Sequence, residues 1–275
     1  MTFYTIVTFN TNGIFSYSPV FYEKSTKMSQ YSNTENIDII NLQEVFFYHH
    51  LYYLKKKLIK FPYCIFVPSL IGPKGGLVTF SRFPLQLVSY KLFKKRGYIF
   101  DLSCIDIFLR KGMLFTKFSQ TNLYVLNTHF SANFGNDWKT DNKYISVLKS
   151  QIDQLHRLLA AFSPEDTCII AGDFNIPKKS SLYTILKSNI LMDVFGAIDK
   201  PTYIGNLMYH KNENLQIDYI FFYGKKQWNV VDKKQIFTEK VLLKNNKKAY
   251  LSDHIGLQAT FHLLLLKKRQ EVFVI

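Results

Sequence analysis

Short apolar runs that end in a polar residue recur along this chain. The clearest run, Cys168–Ala171, is typical of a buried strand and is followed by Gly172–Asn175. Asp173 and Asn175 therefore stand close together at a predicted strand end. A carboxylate there can orient a water or help to hold a hard cation, and an amide can donate to a phosphate oxygen. Taken alone, the same stretch also fits a strand followed by an Asx turn.

Similar runs predict a chain rich in β-structure. The predicted strands are Phe3–Phe9, Ile37–Leu42, Cys64–Val67, Leu77–Phe80, Leu85–Phe93, Ile99–Leu109, Met113–Phe118, Leu123–Asn127, Cys168–Ala171, Ile217–Tyr223 and Ile255–Leu265. The Lys-rich segment Tyr223–Leu251 has scattered apolar residues, and we interpret it as a long hairpin.

Few helices are predicted between these strands. They are Ser25–Asn36, Phe46–Ile59, Tyr144–Phe162 and a short helix from Ser180 or Ser181 to Leu186. In Tyr144–Phe162 the apolar residues recur at steps of three and four, as in an amphipathic helix. This element order argues against a doubly wound parallel sheet and predicts two packed mixed sheets with outer helices. Without a linker or repeat, we expect one domain over residues 1–275.

Polar residues of catalytic type follow many of the predicted strands. They are Asn10, Glu44, Asn127, His129, Asp173, Asn175, Asp218, Asp253 and His254. Each of them alone is compatible with a structural role. Because strand ends from two sheets can converge on one rim, the ordered set predicts a divalent-metal phosphoesterase site.

The charge of the chain changes the choice of partner more than the choice of fold. Lys and Arg number 35 and Asp and Glu number 20, which gives a formal net charge of +15. Such a surface favours polyanions or an anionic membrane face. Lys, Asn, Ile, Phe and Tyr are abundant together, as expected from an AT-rich genome, so the charge is only partly informative.

The cysteines and the hydropathy of the chain indicate where in the cell it is expected. Cys64, Cys104 and Cys168 lie in apolar stretches without a CxxC pair, which predicts buried free thiols. No secretion signal is visible at the N-terminus, and no run approaches the ~20 apolar residues of a spanning helix. We expect a monomer that is cytoplasmic or peripheral to a membrane, with a secreted effector lacking a signal as the alternative.

Six elements together resemble the endonuclease/exonuclease/phosphatase superfamily. They are Phe9–Gly13, Leu42–Val45, Asn127–His129, Gly172–Asn175, Ile217–Ile220 and Ser252–His254. The resemblance covers nearly the whole chain. It implies a single-domain, four-layer α/β/β/α sandwich with two central mixed, mostly antiparallel sheets.

Within that superfamily the chain looks most like the neutral sphingomyelinases. The elements that carry this are Asn127–Ala132, Gly75–Pro84 and Asp106–Gly112. The third implies that Asp106 and Lys111 form a switchable pair near the site, although the residues alone also fit an ordinary charge pair on an edge strand.

Some residues depart from the sphingomyelinase pattern. Thr11–Gly13 also resembles abasic-site nucleases and inositol polyphosphate phosphatases, and Phe174 replaces the Leu of many sphingomyelinases. No Trp-x-Asp-Arg element precedes Asp218, which argues against the phosphatase branch.

The resemblance implies roles for the metal-binding residues. Glu44 would be the primary ligand of Mg²⁺, with Mn²⁺ as an alternative, and Asn10 would lie close to the ion. Asp253 would hold the His254 loop or a second cation. Because Mg²⁺ keeps several waters and takes one or two carboxylates, this sparse set suits it.

It also implies roles in the chemistry. His254, whose ordinary pKa lies near neutrality, would be the general base, and Asp218 would orient it. Asp173 and Asn175 would position the water and the phosphate. His129 would stabilise the phosphate or the leaving oxygen. Structural roles are predicted for the remaining histidines, which are His49, His50, His156, His210 and His262.

A lipid substrate would require docking at a membrane surface. The segment Trp228–Tyr250 combines Trp228, Phe237, Leu242 and Leu243 with a Lys-rich flank, and we predict that it is a membrane-docking hairpin.

The leading hypothesis is therefore Mg²⁺-dependent hydrolysis of sphingomyelin to ceramide and phosphocholine. A metal-dependent nuclease, or another phosphodiesterase or phosphatase of the same fold, is the alternative, and the basic surface supports nucleic acid as its partner. A third possibility is an inactive relative that acts as a binding module.

Overall fold

The structure, a computed structural model, describes residues 2–15, 17–119, 122–135, 137–138, 142–205, 215–224 and 228–263. Its helices are α1 (Pro19–Thr34), α2 (Tyr48–Lys57), α3 (Cys104–Phe108), α4 (Lys143–Ala160) and α5 (Ser181–Lys187). Its strands are β1 (Thr2–Asn10), β2 (Ile39–Gln43), β3 (Tyr63–Ile65), β4 (Val78–Ser81), β5 (Leu85–Leu92), β6 (Gly112–Phe118), β7 (Leu123–His129), β8 (Thr167–Asp173), β9 (Met192–Asp193), β10 (Asp218–Tyr223), β11 (Trp228–Ile236), β12 (Val241–Leu242), β13 (Lys248–Ala249) and β14 (Gly256–Leu263).

Within the described residues, all strands except β12 and β13 form two sheets of six. One has the order β11-β14-β1-β2-β4-β3 and the other β5-β6-β7-β8-β10-β9, while β12 and β13 pair separately. Within the sheets, β1 with β2 and β7 with β8 are parallel, and the other pairs are antiparallel. The prediction of two mixed, mostly antiparallel sheets is confirmed.

Three apolar cores separate four layers. Ile6, Val125 and Ile220 belong to the core between the two sheets. A second core packs α1 and α2 on the first sheet through residues such as Met28 and Leu51. A third packs α4 and α5 on the second sheet. The described residues therefore form the predicted α/β/β/α sandwich.

Alternation along each strand decides which side chains face the other sheet. In β8, Cys168 and Ile170 pack towards the helices, whereas Ile169 and Ala171 join the core between the sheets. Because side chains alternate with period two, Asp173 continues the inner row. The polar strand ends thus open between the sheets at one rim of the sandwich.

Helix starts follow capping chemistry. Asn142 accepts hydrogen bonds from the N–H groups of Tyr144 and Ile145 and begins α4, which agrees with the predicted helix. Helix α1 begins earlier than predicted, because Ser18 caps it and Pro19 occupies its first turn.

Two predicted β-segments are wrong. The stretch Ile99–Leu109 is a loop followed by α3, so Asp106 lies on a helix and not on an edge strand. The stretch Tyr223–Leu251 is not one long hairpin: β11 pairs with β14, and β12 and β13 form a separate small hairpin. Phe237 packs against the core and Leu243 is buried, so this segment does not present the predicted row of docking side chains.

The three cysteines are free, as predicted, but only Cys168 is fully buried, and Cys64 and Cys104 are half-buried. In the part of the chain that the structure describes, no helix combines the length and the apolar character that crossing a membrane requires.

Candidate active site

One row of side chains crosses the second sheet at its rim. His129 of β7 is the register partner of Asp173 of β8, and Asp173 is the register partner of Asp218 of β10. All three are buried and lie in phase with the residues that face the first sheet. Sheet register thus brings together residues that stand far apart in the sequence.

Asn10 connects this row to the first sheet. Its Nδ2 donates to Oδ2 of Asp173 at 3.0 Å and to Oε1 of Glu44 at 3.2 Å. Its Oδ1 accepts from the N–H of Asn12 at 3.0 Å. The amide nitrogen, and not the oxygen, therefore faces the predicted metal ligand.

The backbone of Glu44 and that of Asn175 are both left-handed. Glu44 has φ of +62° and Asn175 has φ of +51°. For a residue other than glycine this conformation costs about 1–3 kcal/mol, and such strain clusters at functional sites. Asn175 is held by its N–H, which donates to Oδ1 of Asp173, and by its Nδ2, which donates to the carbonyl of Phe130.

His254 lies at the centre of the site. Its Nδ1 is 2.9 Å from Oδ2 of Asp218, and its Nε2 is 3.7 Å from Oδ2 of Asp173. Thr202, which the sequence analysis missed, holds the backbone of Asp218 and the backbone next to His254 in place. Its hydroxyl oxygen accepts from the N–H of Asp218 at 3.0 Å, and its carbonyl accepts from the N–H of Ile255 at 2.6 Å.

The charges around His254 alter the pKa that its residue type suggests. Burial alone lowers the pKa of His254, but Asp218 and Asp173 raise it, and the result lies well above the ordinary value. Burial and the neighbouring Asp218 raise the pKa of Asp173 to about 6. The carboxylates of Asp218 and Asp173 thus favour a cationic imidazole at His254.

Lys111 joins Asp106 to His129, and all three are buried. The ammonium lies 3.0 Å from Oδ1 of Asp106, from Nε2 of His129 and from the carbonyl oxygen of Phe130. Since an ammonium only donates, these contacts use all three of its N–H bonds and leave Nε2 of His129 as an acceptor. Burial and then Lys111 lower the pKa of His129 well below its usual range, so the ring is neutral.

A cleft of about 350 Å³ opens over these residues. Its polar floor is formed by side chains that include Glu44, Lys111, His129, Asp173, Asn175, Asp253 and His254. Its walls are apolar and include Phe46, Ile105, Leu109, Phe134, Trp138 and Leu215. The cleft therefore joins a polar, charged floor to walls suited to an apolar group.

The donor set fits a hard cation. Glu44 and Asp253 line the same cleft, and within the described residues neither forms an ion pair with Lys or Arg. Burial and then the Asp253 carboxylate raise the pKa of Glu44 to about 7. Two carboxylates that disfavour each other's charge are suited to share a divalent ion.

A second group of potential ligand atoms, from Asp173, Asp218 and His254, lies within 4.8 Å of one another. The imidazole of His254 is already hydrogen-bonded to Asp218, and its pKa is raised. Because a metal binds the neutral ring, this imidazole is a poorer ligand than an ionised carboxylate. Glu44 could therefore hold a metal ion more readily than the imidazole of this cluster.

Asn127 does not face the cleft as a reactive group. Its Nδ2 donates to the carbonyls of Leu42 and Val78, and its Oδ1 accepts from Nε2 of Gln43. It links the two sheets behind the site, and Gln43 shares this role. The continued alternation of β7 places both Asn127 and His129 on the inner face.

The other histidines in the described residues lie outside the cleft lining. His50 is buried against Phe21, His156 contacts the carbonyl of Leu186, and His262 stacks on Phe3. His49 stacks on Phe47. His210 lies outside the described residues.

Comparison with known proteins places the whole site in one family. The profile of the Endonuclease/Exonuclease/phosphatase family matches residues 7–254. Sphingomyelin phosphodiesterase 2 of Mus musculus is 24% identical over 261 residues, which is 88% of this chain and 61% of the relative. The Rattus norvegicus protein of the same name is 25% identical over 220 residues, covering 73% of this chain and 51% of the relative. The chain thus spans between half and two thirds of the length of these relatives.

Solved structures share the fold at low identity. SmcL is 17% identical with a TM-score of 0.72, covering 94% of this chain and 98% of that one. Sphingomyelinase C from Streptomyces griseocarneus is 16% identical with a TM-score of 0.66, covering 94% and 99%. D. rerio TDP2, complexed with a single-strand DNA product, is 17% identical with a TM-score of 0.68, covering 95% and 100%.

Proposed function

The chain belongs to the endonuclease/exonuclease/phosphatase family, and from that premise we propose that it is a divalent-metal-dependent phosphodiesterase that hydrolyses sphingomyelin to ceramide and phosphocholine. Enzymes of this family hydrolyse phosphoric esters and generally depend on a divalent metal. The choice of sphingomyelin is supported by the two mammalian relatives and by the apolar walls of the cleft.

The observation that carries the proposal is the composition of the cleft. A polar floor with Glu44, Asp173 and His254 lies beneath walls that include Phe134 and Trp138. A lipid phosphodiester has a charged phosphate between an apolar moiety and a headgroup. Such a cleft can hold the phosphate at its floor while the adjoining apolar atoms contact its walls.

Hydrolysis requires a water oxygen to form a bond to phosphorus while the bond from phosphorus to the ceramide oxygen breaks. Asp173 and Asn175 orient the water and the phosphate, and the His254–Asp173 pair takes the proton of the attacking water. Asp218 holds the ring of His254 in the orientation that this transfer needs. The His254–Asp173 pair then returns this proton to the departing ceramide oxygen, so that ceramide leaves as the neutral alcohol.

The raised pKa of His254 refines its proposed role. An imidazole that already carries a proton cannot act as a base. With His254 cationic, the ionised Asp173 is the acceptor and the imidazolium stabilises the negative phosphoryl group. With His254 neutral, its Nε2 is the acceptor. The pH dependence of activity distinguishes these two forms.

Lys111 places a positive charge beside His129 in the site. Its ammonium reaches Nε2 of His129 at 3.0 Å and lies in the lining of the cleft. Because it is buried and fully hydrogen-bonded, it is a fixed charge that needs no reorganisation when the phosphoryl oxygens become more negative. We propose that Asp106 acts on the reaction by positioning Lys111.

A divalent cation, which we propose is Mg²⁺ with Mn²⁺ as a substitute, would be held by Glu44 with Asp253 nearby. When bound, it would neutralise phosphoryl oxygens and lower the pKa of a water. The donors are oxygen atoms and few in number, which suits an ion that retains several waters.

A direct assay tests this proposal. Wild type, His254→Ala and the control His262→Ala are incubated with sphingomyelin micelles and with plasmid DNA, in Mg²⁺ or in EDTA. We expect release of phosphocholine by wild type and His262→Ala in Mg²⁺, and no release by His254→Ala or in EDTA. Cleavage of DNA alone would overturn the lipid assignment. Cleavage of neither substrate would favour an inactive binding module.

The second candidate is a nuclease of the same fold. It is favoured by the formal net charge of +15 and by the structural likeness to D. rerio TDP2 in complex with a DNA product. The same assay separates the two by the substrate that is cleaved. Repeated at high salt, it should show that a nuclease loses its activity on DNA as phosphate contacts weaken.

A further inference from the structure

Residues 97–110, which we call the apolar edge, expose large apolar side chains beside the mouth of the cleft. Phe100 is 99% exposed, Phe108 is 77% exposed and Ile99 is 70% exposed. Ile105 is also exposed and, with Leu109, lines the cleft. The apolar edge is therefore continuous with the apolar wall of the candidate active site. Exposed apolar patches of this kind mark interaction surfaces.

Polar contacts hold the backbone of the apolar edge. The N–H of Tyr98 donates to Oγ of Ser103 at 2.8 Å, and the N–H of Ser103 donates to Oδ1 of Asp101 at 2.7 Å. Asp101 also forms an ion pair with Lys143. Gly97 has φ of +123°, and a Cβ there would lie 2.1 Å from the carbonyl oxygen of Ser103. The fold thus fixes this loop without burying its apolar side chains.

The charges around the apolar edge indicate which kind of partner it binds. Lys94 and Lys95, which lie just before the apolar edge, and Arg110, at its end, are exposed. Both of its carboxylates are already paired, Asp101 with Lys143 and the buried Asp106 with Lys111. Aromatic and aliphatic side chains flanked by cations match the interface of an anionic bilayer, where apolar groups enter the headgroup boundary and Lys and Arg meet anionic lipid.

We infer that the apolar edge docks this chain on an anionic lipid bilayer and brings the mouth of the cleft to the lipid headgroups. The inference rests on the proposed function, because a lipid substrate is the reason for this chain to bind a membrane. The position of the docking surface follows from the exposure and the charge of the residues named above. It replaces the segment Trp228–Tyr250 as the docking element, because Phe237 and Leu243 pack inward.

The test compares two triple variants of the full chain. Ile99→Ser/Phe100→Ser/Phe108→Ser removes apolar side chains from the apolar edge. Ile59→Ser/Ile185→Ser/Val231→Ser removes three exposed apolar side chains that do not line the cleft. Sedimentation with phosphatidylcholine/phosphatidylserine vesicles in EDTA measures binding without turnover. We expect the first variant to bind at least roughly tenfold more weakly than wild type, and the control to bind like wild type.

Two further measurements test whether the variants stay folded and active and whether the apolar edge itself enters the bilayer. Thermal unfolding and hydrolysis of the soluble substrate bis(p-nitrophenyl) phosphate should be unchanged in both triple variants. Phe100→Trp should show a blue-shifted emission on vesicles and quenching by brominated lipid, relative to the parent chain. Either signal staying unchanged while vesicles are bound would overturn the assignment of the apolar edge.

The outcomes separate this inference from the proposed function. Vesicle binding that depends on the apolar edge, without cleavage of sphingomyelin, supports docking and refutes the substrate. Cleavage of sphingomyelin with equal vesicle binding by wild type and the first variant refutes docking alone. An equal loss in both variants, or dimerisation that depends on the apolar edge without vesicle binding, also overturns the lipid assignment.

Discussion

The Asp218 carboxylate lies 2.9 Å from Nδ1 of His254, and both side chains are buried. The two residues come from the start of β10 and from the turn before β14, in different sheets. The contact fixes the ring and raises the pKa of His254 against the effect of burial. It therefore links the packing of the two sheets to proton transfer at the site.

Asp218→Asn should lower kcat by roughly 10²- to 10⁴-fold, since the amide neither favours the imidazolium nor holds the same tautomer. The pKa of His254 should fall, so if neutral His254 is the base, the acidic limb of the kcat profile shifts to lower pH. Asp232→Asn, in an exposed part of β11, is the matched control. Wild-type kcat and an unshifted profile in Asp218→Asn would contradict the proposed role.

Glu44→Gln should weaken the binding of Mg²⁺ at least roughly tenfold, because an amide oxygen replaces a carboxylate ligand. Calorimetric titration with MgCl₂ and MnCl₂ measures the change. Glu35→Gln, whose exposed carboxylate pairs with Lys234, should bind the ion like wild type. If Asp218→Asn lost more affinity than Glu44→Gln, the ion would belong to the Asp173–Asp218–His254 cluster instead.

The metal-free chain should lose stability as pH rises from 5 to 7.5. The pKa of Glu44 rises from 4.5 to about 7 on folding, so its ionisation above pH 4.5 favours the unfolded chain, by about 3 kcal/mol once pH exceeds 7. Asp173 contributes in the same direction up to about pH 6, and His254 does so above its ordinary value of 6.5.

Urea unfolding in EDTA at pH 5 and pH 7.5 checks this dependence. Glu44→Gln removes the largest contribution, so its stability should fall less over that range than that of wild type. Added Mg²⁺ should restore wild type at pH 7.5 and leave Glu44→Gln unchanged. Parallel pH curves for the two proteins would show that the ionisation of Glu44 does not oppose folding.

The buried pair of Asp106 and Lys111 should show strong energetic coupling. Lys111→Met leaves an unpaired buried carboxylate and should cost roughly 3–5 kcal/mol, whereas Asp106→Asn/Lys111→Met should cost less than the sum of the single changes. The exposed pair of Lys179 and Asp199, 3.3 Å apart, is the control for a second double-mutant cycle at the surface. Its coupling should be at most about 1 kcal/mol.

Urea unfolding of the four proteins in each cycle gives the coupling free energy. Activity gives a second readout, since loss of Lys111 also removes the ammonium beside His129. The double variant should therefore recover stability without recovering kcat. Additive free energies at Asp106 and Lys111 would mean that the pair does not act as a unit.

Not every element could be predicted from local sequence. The stretch Ile99–Leu109 is rich in apolar residues and predicted a strand, yet Ile99, Phe100 and Phe108 are exposed. Hydrophobic patterns indicate structure on the premise that apolar side chains are buried. That premise fails where an apolar surface is displayed.

Asn127 illustrates a second limit. Its position after an apolar strand, two residues before His129, gave it the same pattern as the residues of the cleft. Three hydrogen bonds to Leu42, Val78 and Gln43 instead make it a link between the sheets. Sequence position gives the face of the strand, but the partner across the core depends on how the sheets pack.

The sequence by itself indicated most of the long strands and the order of the polar residues at their ends, because apolar runs and the residues that end them are local features of the chain. Only the tertiary structure decided that Asp173 lies between Asn10, His129 and His254, since register and sheet packing join residues separated by most of the chain. The raised pKa values of Glu44 and His254 were decided there too, because burial and neighbouring charges arise only when the two sheets close on each other.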